Sequence, residues 1–177
     1  MRIIDIKDNN SVQNAAEVLK SGGILVFPTD TVYGIGCLLD EKAIKKLYKI
    51  KNRTLSQPTA VLMTTKIFFK HLKNEKEKIE NVLSNYPAGR ITMVFVKESI
   101  DVDFPKIIIK NNKIGIRLPK HKWLEKLIDL VGPIVASSAN KKGEPVPVNY
   151  SEIDKNIIKD VDLVIQNGLS GSGIPST

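Results

Sequence analysis

Apolar positions recur along the chain with two periods, and the alternation between them is the first structural signal. Short runs rich in Ile, Val and Phe, the pattern of strands, fall at 2–6, 24–27, 59–63, 91–97, 106–110, 113–118, 134–137 and 161–165. Between them lie stretches with apolar side chains at helical spacing. Residues 11–21 place Val12, Ala15, Ala16 and Leu19 on one side, and 41–50 do the same with Ala43, Ile44, Leu47, Tyr48 and Ile50. Further helices are predicted at 75–85, 121–131 and 151–158. Ser11 is placed to cap the first helix, and Gly22-Gly23 to end it where a left-handed residue is wanted. The run ILVF at 24–27 is apolar throughout and bounded by Gly and Pro, as in a strand covered on both faces. Asn111-Asn112 between two predicted strands is a hairpin signal. Strands alternating with helices, without a repeat or a low-complexity linker, predict one α/β domain over residues 1–177.

Composition then narrows the class. No apolar run approaches the ~18 residues that span a bilayer, and the charged start MRIIDIKDNN has no apolar leader segment, so no membrane partner is expected. The lone Cys37 removes any intramolecular disulfide and points to a reducing cytoplasm. The net charge of +8 invites a nucleic-acid reading. Sorting the basic residues by type weakens it, because 23 are Lys and four are Arg, while Ile also reaches 23 and Asn 13. Lys, Asn and Ile rising together suit drift in an A/T-rich coding sequence, whereas a phosphate-reading surface recruits Arg for its planar, bidentate fork. The arginines therefore carry the information, and three of them, Arg53, Arg90 and Arg117, fall in segments that stand out on other grounds.

Four segments share a layout in which a β run ends and small polar or basic side chains follow. Ligands bind at the carboxyl ends of strands in open α/β sheets. In PTDTVYGIGC (28–37), Thr29, Thr31 and Tyr33 alternate, so in extended chain they share a face; the other reading is a turn rich in small residues. In KNRTLSQP (51–58), Lys51 and Arg53 are two apart, a pair that either grips a polyphosphate or forms a solvated edge. In IGIRLP (114–119), Arg117 lies within an apolar strand, where a charge needs a buried carboxylate or an anionic ligand. In IVASSAN (134–140), Ser138 and Asn140 offer uncharged donors and acceptors suited to phosphate or ribose, or else an ordinary Asx turn. No P-loop and no dinucleotide fingerprint is present, and His71 and His121 lack ligand spacing, so no metal site is expected. The tail GLSGSGIPST is either a flexible end or a loop closing over a site.

Taken together and in order, PTDTVYGIG, KNR, IGIRLP, SSAN with KKGEPVP, and GIPST resemble the YrdC-type threonylcarbamoyl-AMP synthase family, over residues 22–177. The resemblance implies a single domain with a twisted, mostly open mixed sheet and flanking helices around a cationic cleft. It implies that L-threonine, bicarbonate and ATP, accompanied by Mg²⁺, give threonylcarbamoyl-AMP and pyrophosphate. A downstream threonylcarbamoyl transferase machinery then modifies tRNA. By similarity, Lys51, Arg53, Ser138 and Asn140 form the catalytic tetrad, with ATP on Lys51, Arg53, Gln57, Thr92, Asn140 and the backbone at Val148. Threonine falls to Thr31, Tyr33, Arg117, Ser138 and Ser176. The match has departures: Thr54 stands where the family usually has Pro, and Leu62 where many members have His. Family members continue beyond the GIPST block into a further strand, so the last strand and part of the nucleotide enclosure are expected to be missing or replaced. The alternative is a non-catalytic module of the same fold that binds tRNA or double-stranded RNA.

Overall fold

Because each strand is only three to five residues long, the sheet must be broad to bury a core, and it is. The computed structural model describes residues 2–86, 89–168 and 170–176. Its strands are β1 (Arg2–Asp5), β2 (Leu25–Phe27), β3 (Gly34–Leu38), β4 (Ala60–Leu62), β5 (Thr92–Val96), β6 (Lys113–Arg117), β7 (Ile134–Ser138) and β8 (Leu163–Gln166). They form one mixed sheet in the order β1-β8-β2-β3-β7-β4-β6-β5. The pairs β1–β8, β2–β8 and β4–β6 are parallel and the other four antiparallel, and β1 and β5 are free edges, so the sheet is open.

Helices cover both faces, which is why the central strands are apolar on both sides. The helices are α1 (Ser11–Lys20), α2 (Glu41–Ile50), α3 (Thr65–His71), α4 (Lys76–Asn85), α5 (Lys122–Val131) and α6 (Lys155–Asp160). Leu19 of α1 and Leu124, Leu127 and Ile128 of α5 pack on Leu25, Phe27 and Ile134. On the opposite face Ile44, Leu47 and Tyr48 of α2, Phe68 of α3 and Ile157 of α6 meet Val26, Ile35, Val61 and Val135. Cys37 lies in the second of these layers, fully buried, and burial pushes its thiol up to about 12.

Several expectations needed correction. Residues 106–110 carry a 3₁₀ turn at Lys106–Ile108 instead of a strand, because Pro105 starts it and the chain reaches the sheet only through an isolated Lys110–Lys113 bridge. Asn111 and Asn112 do make the turn, both at positive φ. The stretch 34–38, for which no strand was expected, is the central strand β3; its neighbours β2 and β7 supply the order that Gly34 and Gly36 do not. Helix α3 was not foreseen, although Thr64 caps it by accepting the Ile67 N–H at 3.3 Å. Ser11 does not cap α1: it opens the helix, donating to the Ile6 carbonyl and accepting the Trp123 indole N–H at 2.9 Å. The predicted helix at 151–158 divides into a 3₁₀ turn at Tyr150–Glu152 and α6.

Candidate active site

Side chains alternate across a strand, so a row of small residues on one face of adjacent strands leaves a hollow above the sheet. Gly34 of β3, Ala136 and Ser138 of β7, Ala60 and Leu62 of β4, Arg117 of β6 and Thr92 of β5 are in register on such a face. They floor a cavity of about 240 Å³. Its walls are the turn after β2, with Thr29, Thr31 and Tyr33, and the tail residues Pro175 and Ser176. A site at the strand ends was expected; the small residues let it extend inward over the sheet.

The turn is not extended chain. Thr29 Oγ1 donates to the Val32 carbonyl at 2.8 Å and accepts the Thr31 N–H at 3.0 Å, which brings the two threonine hydroxyls within 3.1 Å. Tyr33 turns the other way: its hydroxyl donates to the Gly168 carbonyl at 3.2 Å and accepts the Asn167 N–H at 2.9 Å. Burial raises its pKa. The tail is tied across this turn, since the Ser170 hydroxyl accepts the Thr29 N–H and donates to the Thr29 carbonyl, both at 3.0 Å.

Arg117 resolves its sequence ambiguity with a carboxylate. Its Nη2 donates to Asp30 Oδ1 at 2.7 Å and to Thr31 Oγ1 at 2.8 Å, and its Nε to the Gly89 carbonyl at 2.8 Å. Burial lowers the guanidinium pKa and the Asp30 charge opposes that shift, so the group stays cationic. Asp30 was not singled out in the sequence. The signal was available, because a charged residue within an apolar strand demands a partner and TDT supplies an acid beside the candidate pocket.

A second hollow, of about 440 Å³, adjoins the first and shares Arg53, Pro58, Ser137 and Ser138 with it. Lys51, Gln57, Asn140, Lys141 and Lys142 complete its lining. Lys51 closes α2, Asn52 takes a left-handed conformation at φ 51°, and the chain reverses, so the two cations do not share an extended face. Lys51 is buried and its ammonium donates to the carbonyls of Ser138 and Asn140. Desolvation, then repulsion from Arg53, lowers its pKa to about 8. Arg53 stacks its guanidinium 5.5 Å from the Tyr48 ring and donates Nη2 to the Pro58 carbonyl. Its Nε is buried without a partner among the described residues. The Ser138 hydroxyl donates to Asn140 Oδ1 at 2.5 Å, and the Asn140 amide donates to the Glu144 carbonyl at 2.6 Å.

The structure thus brings Thr31, Tyr33, Thr92, Arg117, Ser138 and Ser176 to one cavity and Lys51, Gln57, Ser138 and Asn140 to the other, with Arg53 between. Val148 lies in neither lining. Its N–H donates to Glu152 and its carbonyl accepts from Ser170, so its backbone serves the tail. Lys141 and Lys142 were not singled out, since two lysines in a lysine-rich chain carry no local signal.

The chain is similar to known proteins in sequence and in fold. The chain is 29% identical over 170 residues to the threonylcarbamoyl-AMP synthase of Pyrococcus abyssi, covering 94% of this chain and 49% of that protein. It is 27% identical over 168 residues to the threonylcarbamoyl-AMP synthase of Pseudomonas fluorescens, covering 93% and 89%. The crystal structure of P. abyssi Sua5 complexed with L-threonine superimposes with a TM-score of 0.85 at 27% identity, covering 100% of this chain and 53% of that one. The chain therefore spans about half the length of the archaeal relative and most of the bacterial one. The Sua5/YciO/YrdC family model, described as telomere recombination, matches residues 17–177, and the chain belongs to that family.

Proposed function

We propose that this chain condenses L-threonine, bicarbonate and ATP into L-threonylcarbamoyl-AMP, releasing pyrophosphate and water. The observation that carries the reading is the shared wall: an amino-acid-sized hollow with one arginine edge free opens through Arg53 and Ser138 into a hollow lined by cations. The Arg117 Nη1 edge holds the threonine carboxylate, with the hydroxyls of Thr31, Ser138 and Ser176 around the rest of the molecule. The triphosphate lies along Arg53, Lys51, Asn140 and the two neighbouring lysines, with Gln57 and Thr92 toward the nucleoside.

The chemistry asks little of side chains beyond placement. The threonine amine adds to the bicarbonate carbon and water leaves, giving a carbamate. A carbamate oxygen then attacks the α-phosphorus in line, and the bond to the bridging oxygen of the β-phosphate breaks. Holding these atoms in near-attack geometry supplies much of the acceleration. Fixed donors at the phosphates supply the rest, and the unpartnered Arg53 Nε is one such donor. The described residues offer no cluster of three His, Cys, Asp or Glu suited to a metal. Mg²⁺ accordingly enters as part of the nucleotide substrate. The product is a mixed anhydride primed for transfer to tRNA by separate enzymes. No described helix is long and apolar enough to cross a membrane.

Incubation with ATP labelled at the γ-phosphate tests the reading. Pyrophosphate release is expected only when L-threonine and bicarbonate are both present. Release indifferent to either one would overturn it, and tight, salt-sensitive binding of tRNA without turnover would favour a non-catalytic module instead.

A further inference from the structure

Arg117 has one edge unused by the protein, and the reason lies behind it in a residue that does not line the cavity. Nε and Nη2 are committed to Gly89, Asp30 and Thr31, which leaves Nη1 without a partner among the described residues. The Asp30 and Arg117 side chains are only 11% and 9% exposed, so their 2.7 Å ion pair is nearly stripped of water. Packing dictates where the carboxylate stands. A Cβ built on Gly89, which sits at φ +81°, would fall 1.6 Å from Asp30 Oδ2. A Cβ on Gly171 would fall 2.0 Å from the Asp30 carbonyl carbon. The tail also anchors the turn through the Ser172 N–H on the Asp30 carbonyl at 3.1 Å and the Gly173 N–H on the Thr31 carbonyl at 2.9 Å. The turn at Gly89, the strand end at Arg117 and the tail at 171–173 therefore converge on a single acid.

We propose that Asp30 is a positioning and specificity residue: it aims the Nη1 edge of Arg117 at the substrate carboxylate, and it cancels the guanidinium charge so that the subsite suits a neutral zwitterion over a free anion. The physical argument has two parts. A buried guanidinium without its carboxylate keeps its donors but is held less firmly in orientation, because the Asp30 contact is the one with a charged acceptor among the three that fix it. It also becomes an uncompensated buried cation, which recruits whatever small anion is present. With Asp30 in place the charge of the Arg117–Asp30 pair sums to zero, and recognition at that edge depends on hydrogen-bond direction.

This inference rests on the amino-acid half of the proposed function, so its test includes a readout that needs no substrate. Asp30→Asn keeps the shape and removes the charge. Its KM for L-threonine is expected to rise about 10- to 100-fold, the scale on which outer orienting partners act, with the KM for ATP changed less than about twofold. Inorganic phosphate should become a competitor of L-threonine in the variant and not in the parent. Asp30→Glu keeps the charge but lengthens the side chain toward Gly89. It should raise the threonine KM without gaining phosphate inhibition, and it carries the kinetic test if the Asn variant does not fold. Independently, the Arg117 Nε–H resonance in ¹⁵N NMR should resist solvent exchange in the parent and exchange at least about tenfold faster in either variant, as expected of a lost hydrogen-bonded constraint. Unchanged Nε–H exchange, or threonine and ATP KM values rising in parallel, overturns the proposal. A parent enzyme that releases no threonine-dependent pyrophosphate overturns the proposed function instead, and the exchange measurement still decides the role of Asp30.

Discussion

The two halves of the cleft use cations in opposite ways. At the amino-acid end Arg117 is paired with Asp30, and three of its contacts are made by the protein before any ligand arrives. At the phosphate end Lys51 and Arg53 have no carboxylate partner among the described residues and donate only to backbone carbonyls. The first end is electrically balanced and directional, and the second holds surplus positive charge with a buried donor unspent. An amino acid that is neutral overall has to be recognised by geometry, whereas a triphosphate can be drawn in by charge. One fold serves both because the arginine at the amino-acid end comes with its counter-charge, whereas Lys51 and Arg53 at the phosphate end do not, and only Lys141 on the rim is paired, with Asp154 at 2.8 Å.

That contrast can be broken from either side. The largest effect is expected at the phosphate end, where Arg53→Ala should lower the rate of pyrophosphate release by about 10²-fold or more, as for loss of one preorganised donor. At the other end Arg117→Lys retains the charge but not the forked edge, and the threonine KM should rise about tenfold with little change for ATP. Lys51 sharpens the comparison through pH. Its folded pKa of about 8 lies below the ordinary 10.5, so above pH 8 the folded chain sheds a proton that the unfolded chain keeps until 10.5. Unfolding free energy should therefore climb between these limits by roughly 1.4 kcal/mol per pH unit on account of this group, and the climb should vanish in Lys51→Met. Bound triphosphate stabilises the charged form, so nucleotide affinity should fall roughly fivefold from pH 8 to pH 9, measured by calorimetry with proton uptake read from buffer dependence. The smallest effect is that of salt. Raising ionic strength from about 0.05 to 0.5 M should weaken ATP binding several-fold while threonine binding moves less than about twofold.

Much of the scaffold was legible in the chain because apolar spacing is a local property. The helices carrying Leu19, Leu47 and Leu127 were readable from their own residues. What escaped depends on partners distant in sequence. Gly34 and Gly36 carry no strand propensity, and β3 exists because β2 and β7 flank it. Residues 106–110 look like a strand by composition, yet the sheet already ends at β5 beside β6. The site divides in the same way. Lys51, Arg53, Ser138 and Asn140 stand in short blocks that draw notice together, and the fold places all four around one hollow. Asp30 was visible within TDT, but its importance comes from Gly89, Arg117 and Gly171, none of which is near it in the chain.

Cys37 gives the fold a gauge of its own opening. It is the only thiol in the chain, fully buried in the central strand, with its pKa pushed up to about 12. Almost none of it is thiolate at neutral pH, and no reagent reaches it while α2, α3 and α6 stay packed on that face of the sheet. Each molecule that takes up a thiol label has therefore lifted that helical layer from the sheet at least once. The labelling rate would report how often that layer opens, and its slowing by threonine or ATP would measure how firmly each ligand holds the layer on the sheet.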